Sequence, residues 1–278
     1  MKKRTLYVSD MDGTLLNSNS EVSARQSEII SELSHAGALI TVATARTPAT
    51  VVPLMSNTFI SIPYIVLTGA AMYDHATESY HNANYIPADD LQLLLKLYAD
   101  AGIHPFVYHH NGGELLVSHH YGMTSLERDF YTPRSNLRLK RFVFEATPSN
   151  GDDNVMLLFS IAHHSLIEPL AEAIRGVGRF SVSCYPDIFN PEIAMLEVYV
   201  GGVSKANAIK RLMASTGAER LVVFGDNLND LPMLDIADVA VAVDNAHEQV
   251  KERADIIIGC NNDDAVAQFI RQDFNASS

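Results

Sequence analysis

The chain has 278 residues, 47% of them hydrophobic and 19% charged, with a formal net charge of −13. That length can bury a sizeable core in one large domain or two modest ones, and the acidic balance argues against sequence-independent nucleic-acid binding and against anionic membrane surfaces. No apolar run approaches a membrane span, Asp10 interrupts the stretch after Lys2, Lys3 and Arg4 too early for a signal peptide, and Cys184 and Cys260 read as small packed thiols without zinc or disulfide spacing; a cytoplasmic protein is expected.

Residues 4–9 read as a buried strand, followed by Asp10-Met11-Asp12-Gly13. A helix is expected over 24–36, with Ser23 and Gln26 at capping-box spacing and Gly37 as its stop. The apolar run 38–43 reads as a second strand covered on both faces. Thr47-Pro48 opens another helix, and 63–67 is a third strand. This alternation gives an α/β class with a doubly wound parallel sheet.

From about 82 to 189 the pattern changes to short strands (105–108, 114–117, 140–144, 155–161, 180–183) and two helices (89–101 and about 166–175). An inserted α+β domain is expected there, with turn-rich joints at Asn111-Gly112-Gly113 and at 148–153. The polar connections at His81-Asn82 and 187–191 read as hinges. Residues 1–81 and 190–278 then form the α/β core. Its alternation resumes with strand 194–199, a helix over 205–216 between Ser204 and Gly217, strands 221–224, 239–243 and 255–258, and a last helix over 263–273.

Ligands bind past the carboxyl ends of strands in such sheets. Four stretches fall there or at a helix start: Asp10-Met11-Asp12-Gly13-Thr14, Thr44-Ala45-Arg46, Lys205 after Ser204, and Gly225-Asp226-Asn227-Leu228-Asn229-Asp230. Each has a plain structural alternative: an Asp/Gly turn, a strand-end threonine, an exposed lysine, a helix-capping cluster. Lys205 is informative for an electrostatic reason, because a cation in the first turn of a helix opposes the macrodipole unless an anion lies beside it. The acids likewise need company. Two unit charges about 4 Å apart repel by roughly 4 kcal/mol at an effective dielectric near 20. Oxygen donors favour Mg²⁺ as the compensating cation.

Together and in this order, the four motifs resemble those of the haloacid dehalogenase superfamily of phosphohydrolases, in its Cof-type branch with a large cap inserted between the second and third motifs. The resemblance covers roughly 1–80 and 190–278 by motif and the middle by length and pattern. It implies a Mg²⁺-dependent phosphatase acting on small phosphorylated metabolites, sugar phosphates first, through an aspartyl phosphate. Asp10 would be the nucleophile and Asp12 the acid and base. The Asp10 and Asp226 side chains and the Asp12 carbonyl would hold the metal. Thr44, Arg46, Lys205, Asn229 and Gly69 would contact phosphate or substrate, with Asp230 and Asn245 in support. The cap would close over the substrate and set specificity. A phosphomutase or a non-catalytic phospho-ligand binder would carry the same motifs. One departure stands out: the branch usually has Asn-Gly-Ala after the third strand, and here Thr68 precedes Gly69. The pairs His109-His110, His119-His120 and His163-His164 read as ordinary strand or surface histidines, because strand neighbours point to opposite faces. Neither substrate identity nor oligomeric state follows from the sequence.

Overall fold

The computed structural model describes residues 3–145, 154–187 and 190–276. The joint expected at 148–153, and residues 188 and 189 of the second connection, lie outside them. The chain divides into two compact units, Met1–His81 with Ser204–Ser278, and Asn82–Val203.

In chain order the first unit begins with β1 (Thr5–Ser9), α1 (Ala24–His35), β2 (Leu39–Val42), α2 (Pro48–Leu54), β3 (Tyr64–Val66), β4 (Ala71–Asp74) and β5 (Ser79–His81). The second unit holds α3 (Ala88–Asp100), β6 (Phe106–Asn111), β7 (Glu114–His120), α4 (Ser125–Tyr131), β8 (Lys140–Glu145), β9 (Val155–His163), α5 (His164–Val177), β10 (Phe180–Pro186) and β11 (Ile193–Val200). The first unit is completed by α6 (Lys205–Thr216), β12 (Arg220–Gly225), α7 (Leu231–Leu234), β13 (Val239–Val243), α8 (Glu248–Arg253), β14 (Ile256–Ile258) and α9 (Ala265–Ala276).

The main sheet of the first unit is parallel, in the order β14-β13-β12-β1-β2. All five residues of β1 are buried, as a central parallel strand covered on both faces requires. The chain leaves β1 toward β2 on one side and returns as β12 on the other. The topological switch point therefore lies between β1 and β12, where open α/β sheets leave a crevice at their carboxyl ends. Ser9 pairs with Phe224, so Asp10 and Asp226 leave adjacent strands one step apart. The third strand is shorter than 63–67 suggests. Among the described residues it meets the main sheet through a parallel bridge between Ala43 and Ile65, and it forms an antiparallel sheet with β4 and β5.

The helix ends explain themselves locally. Ser204 accepts the Asn207 N–H and Gly217 takes the left-handed conformation that ends α6. At α1, Ser23 accepts the Gln26 N–H, but the Gln26 amide reaches the Leu15 carbonyl instead of closing the box. Thus α1 is tied to the loop that carries the first acids.

The second unit is a six-stranded sheet in the order β10-β11-β9-β6-β7-β8. One face is packed by α3 and α5, with Leu94, Tyr98, Ile167, Leu170 and Ile174 buried against Val107, Leu158, Leu196 and Val198. The other face takes α4: Phe130 packs on Phe106 and Phe159, and Tyr131 on Phe142 and Phe144. The strand expected at 194–199 as the return of the core alternation is β11, antiparallel between β10 and β9. Its Ala194, Leu196 and Val198 face the helices, and six of its eight residues are buried.

One other expectation changes. Both cysteines are free and only part-buried: Cys184 donates to Glu168, and Cys260 donates to Asp263 at a turn. His119 is a strand histidine, on β7. Fully buried, it stacks on Phe106 and lies 3.6 Å from Glu127.

Candidate active site

The loop after β1 turns at Gly13, whose φ of +77° suits glycine and whose missing Cβ leaves room for the Asp226 carboxylate. Packing the two acidic loops this tightly requires that absence. The Thr14 hydroxyl donates to Asp226 at 2.6 Å, and the Asn245 amide donates to the Gly13 carbonyl at 2.8 Å. The Asn245 side-chain oxygen in turn accepts the Asn261 N–H, so Asn245 ties two loops at the sheet edge.

Lys205 is 4% exposed, and its ammonium bridges Asp10 at 2.5 Å and Asp230 at 2.7 Å. The conflict of a cation at the start of α6 is answered by these two carboxylates. One carboxylate oxygen from each of Asp10, Asp226 and Asp230 lies within 4.8 Å of the others. Three acids against one ammonium leave two charges uncompensated if all ionise. Burial, opposed by Lys205 and helped by Asp230 and Asp226, accordingly raises the Asp10 carboxyl to about 7. Burial, opposed by the Thr14 hydrogen bond, raises Asp226 to about 6.

A buried, all-oxygen cluster with surplus negative charge fits a divalent cation. The three acids are not equally available to it. Asp230 is fully buried; one oxygen holds Lys205 and the other accepts the Asp226 and Asn227 N–H groups at 3.2 Å each. Asp10 and Asp226 keep oxygens open to a cation, and Asp230 orders the Lys205 ammonium and the Asp226 loop.

Thr44 is buried at the end of β2. Its oxygen accepts the Arg46 N–H at 3.1 Å, which leaves the hydroxyl hydrogen to be donated elsewhere. Arg46, read from sequence as a phosphate or substrate contact, instead grips both oxygens of Asp12 at 2.7 and 2.5 Å. Asn229 is exposed on the turn after β12. Gly69 has a φ of +93°, and its carbonyl accepts from Arg211 at 3.1 Å.

Thr68, in place of the branch's usual Asn, has a φ of +56°. The left-handed region disfavours a β-branched residue and tolerates Asn. Thr68→Asn is therefore expected to stabilise the protein by about 1 kcal/mol, read as a rise in the thermal midpoint. A lower midpoint would show that the Thr68 hydroxyl is needed more than its backbone is strained.

The sequence reading left the Arg46–Asp12 pair, the Thr14 hydroxyl and Arg211 unassigned. Thr14 was reachable, since it sits one residue past Gly13 on the same loop; the other two are contacts across sequence with no local signature.

A family profile described as haloacid dehalogenase-like hydrolase matches residues 7–270. The chain is similar to pyridoxal phosphate phosphatase YbhA of Escherichia coli, 25% identical over 94% of this chain and 95% of the relative. It is also similar to 5-amino-6-(5-phospho-D-ribitylamino)uracil phosphatase YcsE of Bacillus subtilis, 26% identical over 96% and 94%. Among solved structures, a haloacid dehalogenase-like hydrolase from Bacteroides thetaiotaomicron superposes with a TM-score of 0.75 over 98% of this chain and all of that one, at 24% identity. A subclass IIB sugar phosphatase of the same superfamily superposes with a TM-score of 0.70 over 97% and 99%, at 20% identity. With this match along nearly its whole length, and with its acids gathered at the switch point of the sheet, the chain belongs to the haloacid dehalogenase-like hydrolase family.

Proposed function

We propose that the protein is a Mg²⁺-dependent phosphatase that hydrolyses small phosphorylated metabolites, sugar phosphates first, through a phosphorylated Asp10, with Asn82–Val203 as its cap. The observation that carries this is the buried Lys205 ammonium bridging Asp10 and Asp230 beside Asp226. The phosphatase names of the full-length relatives support it, as does the subclass IIB sugar phosphatase for the substrate class.

Lys205 orients the Asp10 carboxylate, one oxygen of which attacks phosphorus as the bond to the leaving oxygen breaks. Asp12 gives that oxygen its proton. In the second half Asp12 takes a proton from water, whose oxygen attacks phosphorus, and the bond to Asp10 breaks. Arg46 must release at least one Asp12 oxygen for this, and the freed guanidinium can then grip the phosphoryl group. Thr44 donates its hydroxyl to a phosphoryl oxygen. Mg²⁺, held by the Asp10 and Asp226 carboxylates and the Asp12 carbonyl, would offset the charge of the acids and the phosphate together.

Protonation makes the metal requirement testable. Metal binding needs ionised carboxylates, and Asp10 and Asp226 sit raised at about 7 and about 6. Mg²⁺ binding should therefore release protons, and its affinity should fall as pH drops from 8 to 5. A raised carboxyl binds its proton more tightly folded than unfolded. The metal-free protein should thus gain stability as pH falls from 8 toward 5, and added Mg²⁺ should reverse that trend. Calorimetry in buffers of different ionisation enthalpy reads the protons released; zero release at pH 7 would contradict the assignment. A chelator should abolish phosphate release and Mg²⁺ restore it, with full metal-independent turnover as the contrary result.

A further inference from the structure

Three successive residues after β3 take the left-handed conformation: Leu67 at φ +51°, Thr68 at +56° and Gly69 at +93°. Only the last is a glycine. Such a run persists where its surroundings over-determine it. Here they act from two directions. On one side the Leu67 N–H donates to the Arg46 carbonyl at 3.1 Å, and the Thr68 N–H donates to the Thr44 carbonyl at 3.0 Å. On the other, the Gly69 backbone lies against the start of α6. A Cβ on Gly69 would stand 2.3 Å from the carbonyl oxygen of Ser204, the residue before Lys205. The turn therefore separates the loop that carries Thr44 from the helix that opens with Lys205.

Arg211 closes this arrangement. It lies on α6, the helix that Lys205 begins, and its guanidinium donates to the Gly69 carbonyl at 3.1 Å. Its Nε is buried and has no hydrogen-bond partner among the described residues. Keeping that N–H dry costs free energy that a guanidinium turned out to water would avoid. The bond to Gly69 offsets the cost and ties a later turn of α6 to the backbone packed on its first. In the proposed reaction Thr44 and Lys205 act on one phosphoryl transfer from separate elements, so their alignment depends on what holds those elements apart. We propose that Arg211 is a positioning residue for phosphoryl transfer: by holding the Gly69 carbonyl it fixes the left-handed turn at 67–69 as a spacer between Thr44 and Lys205. This deepens the phosphatase reading and rests on it for the reaction; the mechanical link between Arg211 and the turn stands without it.

The test compares wild type, Arg211→Met and Arg211→Lys as full-length proteins, with thermal melting to show that each is folded. With p-nitrophenyl phosphate, Arg211→Met should lose about tenfold in kcat while KM stays within about twofold, the pattern of alignment lost in the transition state. Inhibition by orthovanadate, which takes the five-coordinate shape of phosphorus in transfer, should weaken by about tenfold as well. Mg²⁺ affinity, read by calorimetry, should not move, because Asp10 and Asp226 follow β1 and β12. Arg211→Lys keeps a donor for the Gly69 carbonyl and should recover most of kcat. Amide hydrogen exchange reads the link without turnover. The Leu67 and Thr68 amides, and the Ala208 amide that donates to the Ser204 carbonyl, should exchange about tenfold faster in Arg211→Met, with the β1 and β12 amides unchanged. If the wild type releases no phosphate, the phosphatase reading fails, and the exchange arm still decides whether Arg211 holds the turn. Exchange or kcat unchanged in Arg211→Met overturns the proposal, as does Mg²⁺ affinity that falls in step with kcat, or an Arg211→Lys no better than Arg211→Met.

Discussion

Asp10→Asn should lower phosphate release by at least about 10⁴-fold, the scale of losing a covalent nucleophile, while the protein stays folded. The two halves of that expectation have one cause. The Asp10 carboxyl is held at the end of β1 with its N–H bonded to the Phe224 carbonyl, so the backbone does not depend on its charge. In the metal-free cluster that charge is a burden, since burial and the neighbouring Asp230 and Asp226 raise its protonation to about 7 despite Lys205. Asn keeps the shape and removes the burden, and Lys205 keeps Asp230 as its partner. Without metal at pH 8 the variant should therefore melt at or above the wild type. An amide oxygen cannot form the acyl phosphate at a useful rate, so activity disappears with no loss of structure. Residual turnover near the wild-type level, or a melting point several degrees lower, would remove Asp10 from the role proposed for it.

Lys205→Met should fail in both respects. Removing one partner of a buried ion pair typically costs about 3–5 kcal/mol, because the other partner remains buried and uncompensated. Here Asp10 and Asp230 would both be left, at 7% and 0% exposure. Part of that loss should return in Lys205→Met/Asp230→Asn, which removes one stranded charge. Mg²⁺ should also return part of the stability of the single variant by supplying positive charge to the same cluster. Neither remedy should restore phosphate release, because the ammonium that orients Asp10 is still missing. Thermal melts with and without Mg²⁺, run beside the phosphate assay, check each arm. A stable, active Lys205→Met would show that the bridge is incidental.

What could be read from sequence follows the range of the interactions. The helix from Lys205 to Thr216 is legible because Ser204 and Gly217 mark both ends with local chemistry. The acidic loops are legible because an acid after an apolar run stays at a strand's carboxyl end whatever its neighbours do. Helix α4 is not read, although Thr124 and Glu127 form a full capping box at its start, because seven residues give too little periodicity to notice. The placement of β11 fails for a different reason: strand partners are chosen across the sheet, and β11 pairs with residues 8 to 40 positions away. The Arg46–Asp12 pair spans 34 residues, and two charged residues that both belong at one site give no sign of binding each other first.

The strand order has a consequence for how the protein comes into being. β1 is made first, yet its partner β12 and the residues that complete its charge cluster belong to the last third of the chain, with Lys205 separated from Asp10 by 195 positions. A ribosome that has released two hundred residues has made an acidic loop with no lysine to tame it and no neighbouring strand on one side. Such distant pairing closes slowly. The nascent chain should accordingly remain inert, and dependent on chaperones, until Asp230 clears the exit tunnel.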